Sequence, residues 1–199
     1  MRAAHYGVRF RVTRREGPDL LDDVARRKKF PDAKRRWCTS DFKRAPGLKL
    51  LTELVSALGL TRPAKILYVF GFRAQESAGR RKKVAVPLVR NATASNQTRR
   101  HVWDWYPIHD WSETDVWAAI RASGLEYHWA YDAGMTRLSC SFCILASKAD
   151  LLLAAFLRPD VALEYLRVER EIGHTFRQDL SMADILAESQ IKHGWELAA

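Results

Sequence analysis

The feature that most restricts what this chain can fold into is a six-residue run, Lys65-Ile-Leu-Tyr-Val-Phe70, closed by Gly71. A short, nearly all-apolar run without alternation predicts a strand buried on both faces, the kind found in parallel sheets covered by helices. The surrounding pattern agrees. Leu48 to Leu60 is amphipathic at helical spacing and closes at Gly59, while Val8 to Arg14 alternates apolar and basic residues, predicting a strand with one buried face. Pro18 and Asp19 open a helical pattern through Leu20, Leu21, Val24 and Ala25, with the proline in the first turn, and Phe30-Pro31-Asp32 ends it. Val84 to Val89 and Val102 to Ile108 are weaker strand candidates. Ser112, followed three residues later by Asp115, predicts a capped helix from Glu113 to Ala122, before Gly124. From Lys148 onward the pattern is helical, broken at Pro159, Gly173 and Ser181. This order of elements predicts an α/β domain with a largely parallel sheet over residues 1–147, and a helical C-terminal extension of the same domain over 148–199.

With 199 residues and 47% hydrophobic content, the chain can bury one real core. Charged residues make up 28%, and no apolar run approaches the roughly 18 residues that a membrane span needs. The N-terminus lacks the layout of a signal peptide, so a soluble cytoplasmic protein is expected. Three cysteines, an odd number, argue against a secreted disulfide framework and for metal or redox chemistry. The net charge of +10 is concentrated in Arg26-Arg27-Lys28-Lys29, Lys34-Arg35-Arg36, Arg80-Arg81-Lys82-Lys83 and Arg99-Arg100. Such clusters suit a phosphate-rich partner, and they equally suit plain solvated faces.

Three segments carry residues with chemistry. In open parallel sheets ligands bind beyond the carboxyl ends of strands, which places Gly71-Phe-Arg-Ala-Gln-Glu-Ser-Ala-Gly-Arg80 where a ligand should lie. Gly71 permits a tight backbone path, Arg73 and Arg80 offer guanidinium forks to an anion, and Glu76 could orient an arginine or accept from a ribose hydroxyl. The plainer alternative is an ordinary surface loop. Cys140-Ser-Phe-Cys143 is a C-x-x-C pair, and Cys38 lies far upstream. Thiolates at this spacing suit zinc or an iron–sulfur cluster, both of which usually take four donors. The fourth could be His128, a substrate or an exchangeable sulfide. The stretch from His101 to Trp117 holds four of the seven tryptophans and reads as core, with a nucleic-acid stacking platform as the alternative. His101, His109 and His128 each read more readily as hydrogen-bonded structural residues than as ligands or bases.

Taken together, four motifs resemble those of the phosphoadenosine phosphosulfate (PAPS) reductase family, within the adenine nucleotide alpha hydrolase-like, ATP-pyrophosphatase superfamily. They are Cys38-x4-Lys43-x2-Pro46, the G-x-R-x-x-E-S-x-x-R loop from Gly71 to Arg80, the P-I-x-x-W-S-x-x-D-V-W segment from Pro107 to Trp117, and G-x-x-R-x-x-C-x-x-C from Gly134 to Cys143. The resemblance implies a Rossmann-like parallel sheet and an adenosine nucleotide, PAPS or ATP, held near Lys43, Arg73, Glu76, Ser77, Arg80 and Arg137. Its iron–sulfur branch binds a 4Fe–4S cluster through an adjacent Cys-Cys pair plus C-x-x-C. Here Trp37 takes the first position of that pair, leaving Cys38, Cys140 and Cys143. Related sulfurtransferases use three cysteines and leave one iron open. The family's S-G-G-x-D-S phosphate loop is missing from the sequence, so roughly 50 to 60 residues of the usual fold, including a central strand, are expected to be lacking at the N-terminus. The C-terminal E-C-G-[LI]-H motif, which carries the reductase nucleophile, is missing as well. The resemblance thus implies sulfonucleotide reduction or ATP-dependent sulfur transfer, with a reductant or sulfur donor protein as partner. An acceptor in DNA or transfer RNA, as in phosphorothioation or thiolation enzymes, is one alternative. A non-catalytic nucleotide- or nucleic-acid-binding remnant is the other.

Overall fold

A computed structural model describes residues 5–82 and 88–196. In chain order its elements begin with α1 (Leu20–Arg27) and a helical turn (Trp37–Thr39) that passes through a π-helical segment (Ser40–Arg44) into α2 (Ala45–Ala57). Next come β1 (Ala64–Val69), a 3-10 turn (Ala74–Glu76), α3 (Ala78–Arg81), β2 (Val89–Arg90) and β3 (Arg100–Trp105). The helices α4 (Glu113–Ala122), α5 (Lys148–Leu157), α6 (Pro159–Ile172) and α7 (Met182–His193) follow. The architecture is α/β. It divides into two compact units, one made of Met1–Thr13 with Gly47–Glu126 and the other of Arg14–Pro46 with Tyr127–Ala199. Residues 148–199 fall within the second unit.

The first unit is built on a three-stranded sheet of order β1-β3-β2, with β1 parallel and β2 antiparallel to β3. Ile66 stands opposite Val102 and Leu67 opposite Trp103, so each face of the sheet is set by parity. Ala64 and Val102 are buried on one face, where a Cβ on Gly47 of α2 would come within 3.1 Å of the Tyr68 hydroxyl. Arg100 Nη1 also donates to Thr52 Oγ1 at 2.7 Å, fixing α2 over that side. The other face is open, with Leu67 and Val69 each 50% exposed. The run 65–70 is therefore a strand, but buried on one face only. β1 sits at the edge of a narrow sheet, and its odd-numbered side chains gain no cover among the described residues.

Two more expectations fail here for the same nonlocal reason. Val8 to Arg14 forms no strand, and Val8, Phe10 and Val12 are exposed. Alternation makes a strand only where a sheet edge supplies hydrogen-bond partners, and the described sheet does not take this segment up. None of Trp103, Trp105, Trp111 and Trp117 is buried, whereas Val102 and Tyr106 are. The candidate strand Val84 to Val89 lies outside the described residues up to position 87, and Val89 opens β2. Locally encoded features hold. Ser112 Oγ accepts from Asp115 N at 3.1 Å while Asp115 Oδ2 accepts from Ser112 N at 2.8 Å, the reciprocal box that starts α4.

Helices dominate the second unit. Asp19 caps α1, accepting from Leu21 N and Asp22 N, so Pro18 precedes the cap rather than entering the first turn. Asp23, fully buried, accepts from Arg15 and Arg26, which removes the penalty of burying an unpaired charge. The helical breaks fall as the sequence predicts: Ser147 caps α5, Pro159 opens α6, Gly173 closes it at φ 63°, and Ser181 caps α7. Leu151, Val168, Met182 and Ile185 are buried in a core shared by α5, α6 and α7. Each such side chain contributes about 1.5–3 kcal/mol. The buried Glu169 carboxylate accepts from Phe176 N at 2.6 Å and Met182 N at 3.1 Å, joining α6 to the loop and first turn that follow. Among the described residues, no helix is long and apolar enough to cross a membrane.

Candidate functional site

The residues singled out in the sequence fall into two groups, one in each unit. In the first unit the chain leaves β1 with Phe70 N bonded to Trp105 O at 2.9 Å and then turns through the arginine-bearing loop. Gly71 is not in the left-handed region, and a Cβ there would make only an ordinary 3.7 Å contact with Ile108, so glycine is not required by the backbone. Arg73 N donates to Glu76 Oε2 at 3.1 Å, Glu76 pairs with Arg80, and Ser77 Oγ accepts from Arg80 N at 3.2 Å to cap α3. The Arg80 guanidinium also lies 4.3 Å from the centroid of the Phe72 ring. Arg73, Glu76, Ser77 and Arg80 are thus brought together as one preorganised turn, in which Glu76 orients both arginines.

This turn is held from beneath by a residue that sequence reasoning treated only as structural. His109 is buried; its backbone oxygen accepts from Ala74 N at 2.8 Å, and its Nε2 lies 2.9 Å from Arg80 O. A carbonyl only accepts, so Nε2 carries the proton. Nδ1 then faces Asp110 Oδ1 at 3.1 Å. The Arg80 carbonyl first, and the Asp110 carboxylate second, push the imidazole pKa above its ordinary value.

The second unit holds Cys38, Lys43, Arg137, Cys140 and Cys143. All three cysteines are free thiols, with Cys140 exposed and the other two half-buried. Burial pushes the Cys38 thiol up, and the charges of Cys140 and Cys143 add to that, while a hydrogen bond with Thr39 and the Lys43 ammonium oppose it. Residues about a hundred positions apart in sequence therefore share one electrostatic neighbourhood. Lys43 lies in the π-helical segment, five residues beyond Cys38. Arg137 Nη2 stands 3.7 Å from Cys143 Sγ. Trp37, in the position of the family's additional cysteine, is half-buried under the Arg27 guanidinium, 4.4 Å from its ring. Among the described residues, no three His, Cys, Asp or Glu side chains form a metal-binding group. His128, the protein candidate for a fourth ligand, uses Nδ1 to accept from Ala130 N at 3.1 Å.

Two further residues fix the C-x-x-C segment, and neither was singled out from sequence. Phe142, between the two cysteines, is buried with its ring 5.0 Å from that of Tyr165, which anchors the turn in the core. Asp150, buried in α5, accepts from Thr136 N at 2.8 Å and Thr136 Oγ1 at 2.7 Å, holding the strand of chain that carries Arg137. The Ser147-x-x-Asp150 spacing was the available signal for the second. Gly134, first residue of this motif, sits at φ 99°, a conformation in which glycine is needed. The three thiols offer the donor chemistry of a metal centre, but among the described residues they are not gathered into a metal-binding group.

Comparison with known proteins agrees with the motifs. The chain is 29% identical over 135 residues to an uncharacterized 37.8 kDa protein of Escherichia phage 186, covering 68% of this chain and 37% of that protein. It is 28% identical over 145 residues to an uncharacterized protein of Methanocaldococcus jannaschii, covering 73% and 31% respectively. Over 71 residues it is 32% identical to an adenosine 5'-phosphosulfate reductase of Neisseria meningitidis serogroup B, covering 36% of this chain and 29% of that enzyme. The chain spans about a third of the length of these curated relatives. No solved structure matches it significantly. The phosphoadenosine phosphosulfate reductase domain matches residues 4–146, and the chain belongs to that family.

Proposed function

We propose that this chain is part of an enzyme that uses an adenosine nucleotide in sulfur chemistry, with Cys38, Cys140 and Cys143 as ligands of an iron–sulfur centre. The observation that carries the reading is that Cys38 and the Cys140–Cys143 pair, about a hundred positions apart in sequence, lie in one compact unit together with Lys43 and Arg137. Cys38 suits a ligand better than a free nucleophile, because its thiol is pushed up by burial and a bound metal would deprotonate it outright. A 4Fe–4S cluster held by three thiolates supplies an iron open to sulfur. In the first unit, Arg73 and Arg80 are set by Glu76 to bind the anionic groups of a nucleotide, and Ser77 fixes the turn that presents them. The family relationship supports nucleotide use, and the donor set supports the centre.

Anaerobic reconstitution with iron and sulfide tests it. The expected result is an oxygen-sensitive protein holding about four irons per chain, lost in a Cys140→Ser variant. Zinc retained in place of iron, or full iron content in the Cys140→Ser protein, would overturn the assignment.

A further inference from the structure

The turn that presents Arg73 and Arg80 is closed at both ends by one buried residue, His109. At the entry its backbone oxygen accepts from Ala74 N at 2.8 Å, and at the exit its ring Nε2 lies 2.9 Å from Arg80 O. A third tie comes from α4, where Glu113 N donates to Gln75 Oε1 at 3.1 Å. Backbone and amide bonds do not titrate near neutral pH. An imidazole does.

Both ring nitrogens of His109 face acceptors, Arg80 O on one side and Asp110 Oδ1, at 3.1 Å, on the other. A neutral imidazole has one N–H and one lone pair, so either tautomer sets a lone pair against an oxygen. The imidazolium donates to both. Asp110 is 82% exposed, so on deprotonation its carboxylate can turn to water while Nε2–H keeps the Arg80 carbonyl. The turn then keeps its shape and loses a charge.

That charge matters because of what surrounds it. Arg73, Glu76 and Arg80 lie on the turn, Asp110 beside the ring, and Arg81 and Lys82 follow, exposed, at the end of α3. The Tyr106 ring is 6.5 Å away and neutral, since burial and its bond to Asp104 push its pKa up to about 12. The buried Asp104 carboxylate is taken up by Tyr106 Oη and Asn91 Nδ2. Within the turn and its latch, Arg73 and Arg80 are balanced by Glu76 and Asp110, so the ring proton takes this set from neutral to positive.

We propose that His109 is a positioning residue for the Arg73–Arg80 turn, and that the turn holds an anion more tightly when the His109 ring is protonated. By linkage, a bound anion in turn retains the proton. The proposal deepens the reading of Arg73 and Arg80 as ligands of a nucleotide's anionic groups, and rests on it.

The test is titration of the full chain with inorganic sulfate, a dianion throughout the range from about pH 5.5 to about pH 8.5, followed by NMR at the Ser77 and Arg80 amides. The dissociation constant should rise at least about threefold across that range, with the midpoint of the His109 ring. His109→Gln, whose amide nitrogen can still donate to Arg80 O, should bind sulfate at the parent's high-pH strength at every pH. Asp110→Asn, altered at an exposed side chain, should move the binding midpoint down, because an amide no longer favours the imidazolium. A parent affinity that is flat with pH, a pH dependence kept in full by His109→Gln, or an unmoved midpoint in Asp110→Asn overturns this proposal alone. Sulfate that shifts neither amide at any pH overturns it together with the assignment of the turn to a nucleotide's anionic groups.

Discussion

Asp150 illustrates how one side chain supports the cysteine segment without touching it. Burial pushes its carboxyl up, but the N–H and hydroxyl of Thr136, the Ser147 hydroxyl and the charge of Arg137 outweigh that and hold it below the ordinary carboxylate value. A depressed folded-state pKa stabilises the protein above the unfolded value of about 3.9, and that stability is lost as pH falls through the folded pKa. Asp150→Ala should therefore cost on the order of 3 kcal/mol at neutral pH, with Asp150→Asn costing less because an amide oxygen can still accept from Thr136 N. Denaturant midpoints at pH 7 and pH 3 check both points. The difference between parent and Asp150→Asn should shrink at the lower pH, and a constant difference would show that the carboxylate charge does not matter.

At the scale of elements, the loop from Gly71 to α3 is a surface turn made firm by a buried histidine from a different part of the first unit. Because the folded pKa of His109 is raised, its contribution is fully present below the unfolded value of about 6.5 and is lost as pH rises through the folded value. We expect the His109 ring to titrate by NMR with a midpoint above 6.5, and the Ala74 amide, bonded to its backbone, to shift with the same midpoint. A ring that titrates at or below the ordinary value would remove the latch. The C-x-x-C turn is fixed differently, by inserting Phe142 into the aromatic cluster of Phe30, Tyr165 and Phe176. One element is thus tied by polar bonds that respond to pH, the other by packing that does not.

Across the whole molecule, the two units differ in how much they bury. Sixteen buried residues form one hydrophobic cluster in the second unit. Among the described residues, the buried hydrophobics of the first unit are Ala64, Ala94, Val102 and Tyr106, and one face of its sheet is open. Hydrogen exchange should accordingly show the amides of β1 and β3 opening at lower free energy than those of α5 to α7, with two unfolding transitions instead of one. A single transition with equal protection in both regions would contradict this. What could be read from the sequence alone was whatever depends on neighbours three or four residues apart. The boxes of Ser112 with Asp115 and Ser181 with Asp184, the stop at Gly173 and the start at Pro159 are all local hydrogen-bond or backbone choices. The four motifs likewise lay within short segments, which is why the family was legible. Tertiary structure alone decided that Val8 to Arg14 pairs with no described strand, that β1 buries one face, and that His109 and Asp150 hold the loop after β1 and the segment before the C-x-x-C pair. It also placed Cys38 in the same unit as Cys140 and Cys143. Each of these depends on which distant residues share a surface, and pairing across a sheet or burial in a core is settled only when the chain closes on itself.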